Sequence, residues 1–110
     1  MFTYTLTQTH QDGPLTLYTL QYGDAAAQAS VLRLPAGGQS ILTIACNRGM
    51  LLCRLYDAAV AERCEVPAAI FGAATLEEML TKSPLALTPQ AEALGAKPEM
   101  TALELLALFS

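Results

Sequence analysis

Residues 41–56, ILTIACNRGMLLCRLY, place two of the three cysteines, Cys46 and Cys53, on apolar runs around the turn signal Asn47-Arg48-Gly49. A cysteine becomes a nucleophile when a nearby cation, base or helix N-terminus stabilises its thiolate. Cys53 has Arg54 beside it in sequence, but neighbours along a strand point to opposite faces. The one histidine, His10, lies far upstream and could act as a base only through folding or assembly. Cys53 and His10 are therefore the candidate catalytic residues. Free cysteines more often serve as small apolar core residues, and that is the expected role of Cys53.

Two thiols on one hairpin also raise a redox or metal reading. The spacing is C-x6-C, and zinc would need two further ligands, for which only Cys64 and His10 remain. No metal site is expected. Register decides whether the thiols could meet. With Arg48-Gly49 as a two-residue loop, Cys53 faces Ile44 on the same face as Cys46. With a three-residue loop, Cys53 faces Thr43 on the opposite face. In either case Gly49 is expected to supply the positive φ of a tight hairpin.

Convergence of Arg33, Arg48, Arg54 and Arg63 would make an anion site, with Arg48, Gly49 and Arg54 as the candidate binding residues and a small molecule of unknown identity as ligand. Ordinary solvated charge is the competing account. Glu77-Glu78 opens a helix, where acids meet the dipole favourably without acid–base work. Pro35-Ala36-Gly37-Gly38 lacks the lysine and helix start of a phosphate loop. Nothing calls for a cofactor.

The elements that must position these residues are legible in outline. The 110 residues make one domain. Apolar residues make up 53% and charged residues 15%, where ordinary domains run nearer a quarter charged. Sixteen charged side chains cover little of a small protein's surface, so some apolar surface is expected to be covered by another chain. A net charge of −4 lacks the basic footprint that nucleic acid demands. No run of eighteen apolar residues spans a membrane, and MFTYTLTQTHQDG lacks a secretory signal's basic start and apolar run. Three reduced thiols in the cytoplasm are expected.

Phe2, Tyr4 and Leu6 alternate with threonines as a strand. A turn at Gln11-Asp12-Gly13-Pro14 leads into a second strand over residues 15–22, and the pair reads as a hairpin. Gly23-Asp24 and the alanines after it give no clear signal. Strands follow over 30–34, 40–46, 50–56 and 67–71, with a helix over 57–64 capped by Asp57. The C-terminal third is marked by capping boxes at Thr75–Glu78 and Thr101–Glu104, and by Thr88-Pro89 with Gly95 closing that helix. Strands first and helices later predict an α+β fold: a small mixed or antiparallel sheet, an N-terminal β-hairpin region and short C-terminal helices.

The segments RGMLLCRLYD, PAAIFGAATLEEML and SPLALTPQAEALGAKPEMTALELL, taken in order, resemble the YunC-like family, domain of unknown function 1805. The matching positions are Gly49, Cys53, Gly72, Thr75, Leu80, Ala91, Glu92, Leu94, Gly95, Met100 and Thr101, over roughly residues 34–110. Arg54 and Glu99 stand where the family often has glycine. The resemblance implies a small α+β domain whose N-terminal β region serves tetramerisation, and it supplies no established activity. The expectation is one domain, with residues 1–34 as an oligomerisation region and 35–110 as the core. The protein is expected to be a cytoplasmic homo-oligomer, a tetramer through its N-terminal strands, with a binding or structural role. The alternative is a small enzyme or ligand sensor with a Cys/Arg site at a subunit interface.

Overall fold

In the computed structural model, which describes residues 3–35 and 39–110, strands fill the first half of the chain and capped helices the second. Strands β1 (Thr5–Asp12) and β2 (Leu15–Tyr22) form an antiparallel hairpin across Gly13, which takes a left-handed φ of 59°. Strand β3 (Ala25–Arg33) follows across Gly23-Asp24, and β4 (Ser40–Ala45) and β5 (Met50–Cys53) extend the antiparallel ladder. Helix α1 (Ala58–Arg63) then carries the chain across, so that β6 (Ala68–Phe71) pairs parallel to β5. A two-residue strand, β7 (Ala86–Leu87), closes that edge. Among the described residues the sheet has seven strands whose order is the order of the chain. Helices α2 (Leu76–Leu80), α3 (Pro89–Ala93) and α4 (Ala102–Leu108) complete an α+β architecture. Phe2 and Ala36-Gly37-Gly38 of the expected first strand and turn lie outside the described residues.

Two corrections to the sequence reading have plain physical causes. Residues 25–29 are strand and not an ambiguous connection. Their alternating alanines Ala25, Ala27 and Ala29 are buried, and side chains this small let α4 lie against β2 and β3. Alanine has weak strand propensity by itself, so packing decides the outcome. The turn after β4 is the second correction. Ala45 pairs with Met50, Ile44 with Leu51 and Thr43 with Leu52, so four residues bridge the strands and neither expected register occurs. Gly49 is not among the glycines with positive φ. It is required by space: an added Cβ would stand 2.8 Å from the Phe109 ring and 3.0 Å from the Pro67 carbonyl oxygen.

Each expected N-cap side chain accepts its hydrogen bond, but the capping box expected at Thr75–Glu78 is only half formed, because the Glu78 carboxylate takes the Ala74 N–H and Lys82 and not the Thr75 N–H. Asp57 accepts from the Ala59 N–H, Thr75 from Glu78, Thr88 from Ala91 and Thr101 from Glu104. Thr101 and Glu104 complete a reciprocal capping box. After α3, Gly95 at φ 106° lets its own N–H reach the Glu92 carbonyl and that of Ala96 reach Ala91, a Schellman closure. Thr88 is almost fully buried because its hydroxyl also accepts from the Ala68 N–H and donates to the Val66 carbonyl, tying α3 to the start of β6.

The core is divided by the sheet. On one face Leu20, Leu42, Ile44, Leu51, Ala69 and Phe71 pack beneath α2 and α4, with Met79, Leu80, Leu105, Leu106 and Phe109 above them. On the other face Leu52, Ala68 and Ile70 form a smaller cluster with Ala58 and Ala61 of α1. The β5–β6 half is therefore covered on both faces, which explains its near-continuous apolar sequence. The β1–β4 part is covered on one face.

Candidate functional site

Cys53 sits at the end of β5 with 1% of its surface exposed, packed in the main core. Its Sγ accepts a hydrogen bond from the Leu42 N–H at 3.4 Å. Cys46 lies on the same face, because the observed register continues to place Cys53 beside Leu42. Four residue steps along extended chain still separate Leu42 from Cys46, roughly 13 Å. The three thiols are unpaired. Burial pushes the Cys46 thiol from 9.0 up to about 11, the direction opposite to activation. Cys64 is exposed just beyond α1.

His10 occupies the outer strand. A bulge between Gln8 and His10 shifts the β1 alternation, so that His10 pairs with Leu17 and Asp12 with Leu15. Three strands stand between β1 and β5, a separation of roughly 19 Å, so His10 and Cys53 do not meet within one protomer. No group of three or more histidine, cysteine, aspartate or glutamate residues gathers as a metal site among the described residues.

Arg48 and Arg54 are separated by β5 and serve different places. At the entry to β5, the Arg48 guanidinium donates to the Leu108 carbonyl and the Arg48 backbone N–H donates to the Phe109 carbonyl. Together with the contact between Gly49 and Phe109, this fastens the end of α4 to the turn. A cation there also meets the negative end of the helix dipole. Arg63 closes α1 on the opposite face of the sheet.

Arg54 emerges where β5 ends, beside the loop that leaves β6 at Gly72-Ala73-Ala74. The carboxyl ends of adjacent parallel strands are the customary ligand position in open sheets. A cavity of about 240 Å³ lies there, lined by Gln39, Ser40, Arg54, Gly72, Ala73, Ala74 and Glu78. A second cavity of about 210 Å³ shares Ser40 and Ala74 with it and continues over the sheet past Tyr18, Val31, Arg33, Leu42, Leu76 and Glu77. Arg33 and Arg54 thus flank one cleft. Lys82 donates to the Glu78 carboxylate at 2.7 Å and to the Gly72 carbonyl at 2.8 Å. That hydrogen bond, the Ala74 N–H and the charges of Lys82 and Arg54 hold the Glu78 carboxyl below its usual range. Of the four arginines whose convergence the sequence suggested, Arg33 and Arg54 come to this cleft and Arg48 and Arg63 do not. The contribution of Gln39 and Ser40 was hidden, because it depends on the end of β3 and the start of β4 lying beside the β6–α2 loop.

A second feature is the uncovered face of β2–β4. Leu15, Leu17 and Leu32 belong to neither core cluster. Leu32 pairs in register with both Leu15 and Ile41, and it is 37% exposed. Thr43 on this face shares a 2.9 Å hydrogen bond with the Tyr56 hydroxyl, which draws the Tyr56 ring to the border of the patch. The exposed Leu55 and Val60 extend the apolar surface toward α1. No helix of the described residues is long and apolar enough to cross a membrane.

The fold is shared with a solved structure. A crystal structure of a protein of unknown function, TA1206 from Thermoplasma acidophilum, superposes with a TM-score of 0.80 at 17% identity, covering 93% of this chain and 100% of that one. At that identity the likeness establishes the architecture. No family model matches the sequence, and no curated protein does.

Proposed function

We propose that this protein works as a homo-oligomer with a binding or structural role, assembled through the uncovered face of β2–β4. The observation that carries this reading is the leucine patch of Leu15, Leu17 and Leu32, which packs into neither core cluster. A second copy is the occupant best matched to it. Arg33 is the sole charged residue of β2, β3 and β4, and alternation turns it to the helix side, where it lines the cleft. A neutral face can meet its own copy in an isologous contact without repulsion. Sheets pack face to face by burying such side chains between them. Pairing along the free edge of β1 is less favoured, because its bulge and the outward placement of His10 and Asp12 are devices that protect edges.

The YunC-like resemblance, which implies a tetramer through N-terminal strands, supports the same proposal. So does the structural duty found for residues that carry it: Gly49 for close approach, Thr75 and Thr101 as caps, Gly95 for helix closure. A cytoplasmic location belongs to this reading and rests on three unpaired thiols. A catalytic role for Cys53 is disfavoured by its enclosure in the core.

Native mass spectrometry of the intact chain and of the double variant Leu17→Lys, Leu32→Glu tests the proposal. The expected result is an oligomer for the parent and a folded monomer for the variant. A parent that is monomeric at micromolar concentration, or a variant that keeps the parent's oligomeric mass, sinks the assignment of this face.

A further inference from the structure

The cleft at the carboxyl ends of β5 and β6 has the makings of a ligand site that is independent of assembly. Its two halves differ in chemistry. The half above the sheet is walled by the half-buried Tyr18 and Val31, with Leu42 and Leu76 buried beneath. The half beside Arg54 is more polar, with Ser40 and Gln39 at hand. Ala74 and Ser40 line both, so one molecule can occupy both halves.

The charged groups narrow the choice of ligand. Among the described residues the one ion pair joins Lys82 to Glu78. Among the described residues the guanidinium groups of Arg33 and Arg54 flank the cleft with no hydrogen-bond or ion-pair partner, whereas that of Arg48 is engaged by Leu108. A guanidinium presents a planar fork of donors that matches a carboxylate bidentately. Glu78 is already paired with Lys82, so among the charged residues that line the cleft Arg33 and Arg54 stand against Glu77, one positive charge in excess. That balance suits a monoanion better than a doubly charged phosphate.

We infer that this cleft binds a small monocarboxylate with an apolar body, its carboxylate held by Arg54 beside Ser40 and its body laid over Tyr18 and Val31 toward Arg33. The combined space admits a ligand of roughly ten heavy atoms, for which a dissociation constant on the order of 1 mM is expected.

Nitrogen-15 amide spectra of the full chain titrated with sodium hexanoate test this, with 1-hexanol and inorganic phosphate as matched probes. Hexanoate is expected to shift the amides of Ser40, Gly72 and Ala74 saturably. Arg54→Gln should weaken its binding by about tenfold, the loss of one charge-assisted pair. Ala74→Leu, which fills the waist between the two halves, should abolish it while leaving both arginines in place. Arg63→Gln, on the far face, should change nothing. Arg54 and Ala74 are exposed, so both variants are expected to fold, which their own amide spectra confirm. The inference is overturned by an absence of shifts at these amides, by equal binding of 1-hexanol or phosphate, or by hexanoate affinity that Arg54→Gln leaves unchanged. The oligomeric proposal stands or falls separately, since its readout is mass.

Discussion

The β5–β6 half of the sheet and the β2–β4 part solve the same problem differently. Around β5 and β6 each face has its own cover, α2 and α4 on one side and α1 on the other. Around β2–β4 the helices cover one face, and the other presents Leu15, Leu17 and Leu32. Both parts are apolar in sequence. One completes its burial on both faces within the chain, and the other leaves one face open. Apolar composition alone therefore does not say how many faces of a strand are enclosed. The neighbouring elements decide it.

The same substitution in the two regions should separate them most sharply. Ile70→Asp places a carboxylate under α1, where Ile70 is 5% exposed, and should cost several kcal/mol, enough to unfold a marginal domain. Leu32→Asp on the open face should leave monomer stability within about 0.5 kcal/mol and reduce assembly. Urea denaturation and native mass, taken together, check the pair. Equal destabilisation by both would erase the distinction between the regions.

Gly49→Ala is expected next in size. The new methyl group would press on the Phe109 ring and the Pro67 carbonyl, so about 1–3 kcal/mol of stability should be lost. An unchanged urea midpoint would show that the α4 end yields freely. Thiol reactivity sharpens the contrast between enclosed and open positions. Cys64 should label first with iodoacetamide, Cys46 more slowly, and Cys53 only on unfolding. The Cys46 thiol holds its proton more tightly folded than unfolded. Its contribution to stability is full below pH 9.0 and is lost as the pH rises through about 11. A Cys46→Ala variant should lack that alkaline loss.

The smallest effect belongs to Glu78. Its folded carboxyl lies below 4.5, so its contribution is present above that value and declines as the pH falls through the lower folded one. The pair with Lys82 is exposed, which keeps the effect small. Lys82→Met should flatten the acid limb of the melting temperature slightly. An identical acid profile for the two proteins would remove Glu78 from the account.

Much of the fold was legible because the signals are local. Threonine caps, the Gly13 turn and the alternation in β2 each require only nearby residues. The β4–β5 register was not legible. It is set by the Phe109 ring and the Pro67 carbonyl closing on Gly49, contacts sixty and eighteen positions away. The alanines of β3 were silent for the same reason, since their strand conformation answers to α4. The cleft was half legible. Arg33 and Arg54 could be named among the arginines able to converge. Which of the four meet, and that Gln39 and Ser40 join them, is fixed only where the end of β3, the start of β4 and the β6–α2 loop lie side by side.

The fastening of Phe109 to Arg48 and Gly49 also sets an order of events. The β1–β4 meander can pair from neighbouring segments as they leave the ribosome, whereas the turn at residues 47–49 waits for a partner sixty positions downstream. Until Phe109 arrives, the helix side of β2–β4 lacks its α4 cover while the opposite side is still without a neighbour. The nascent sheet passes through an interval with both surfaces bare, and closure by α4 ends the exposure of one of them.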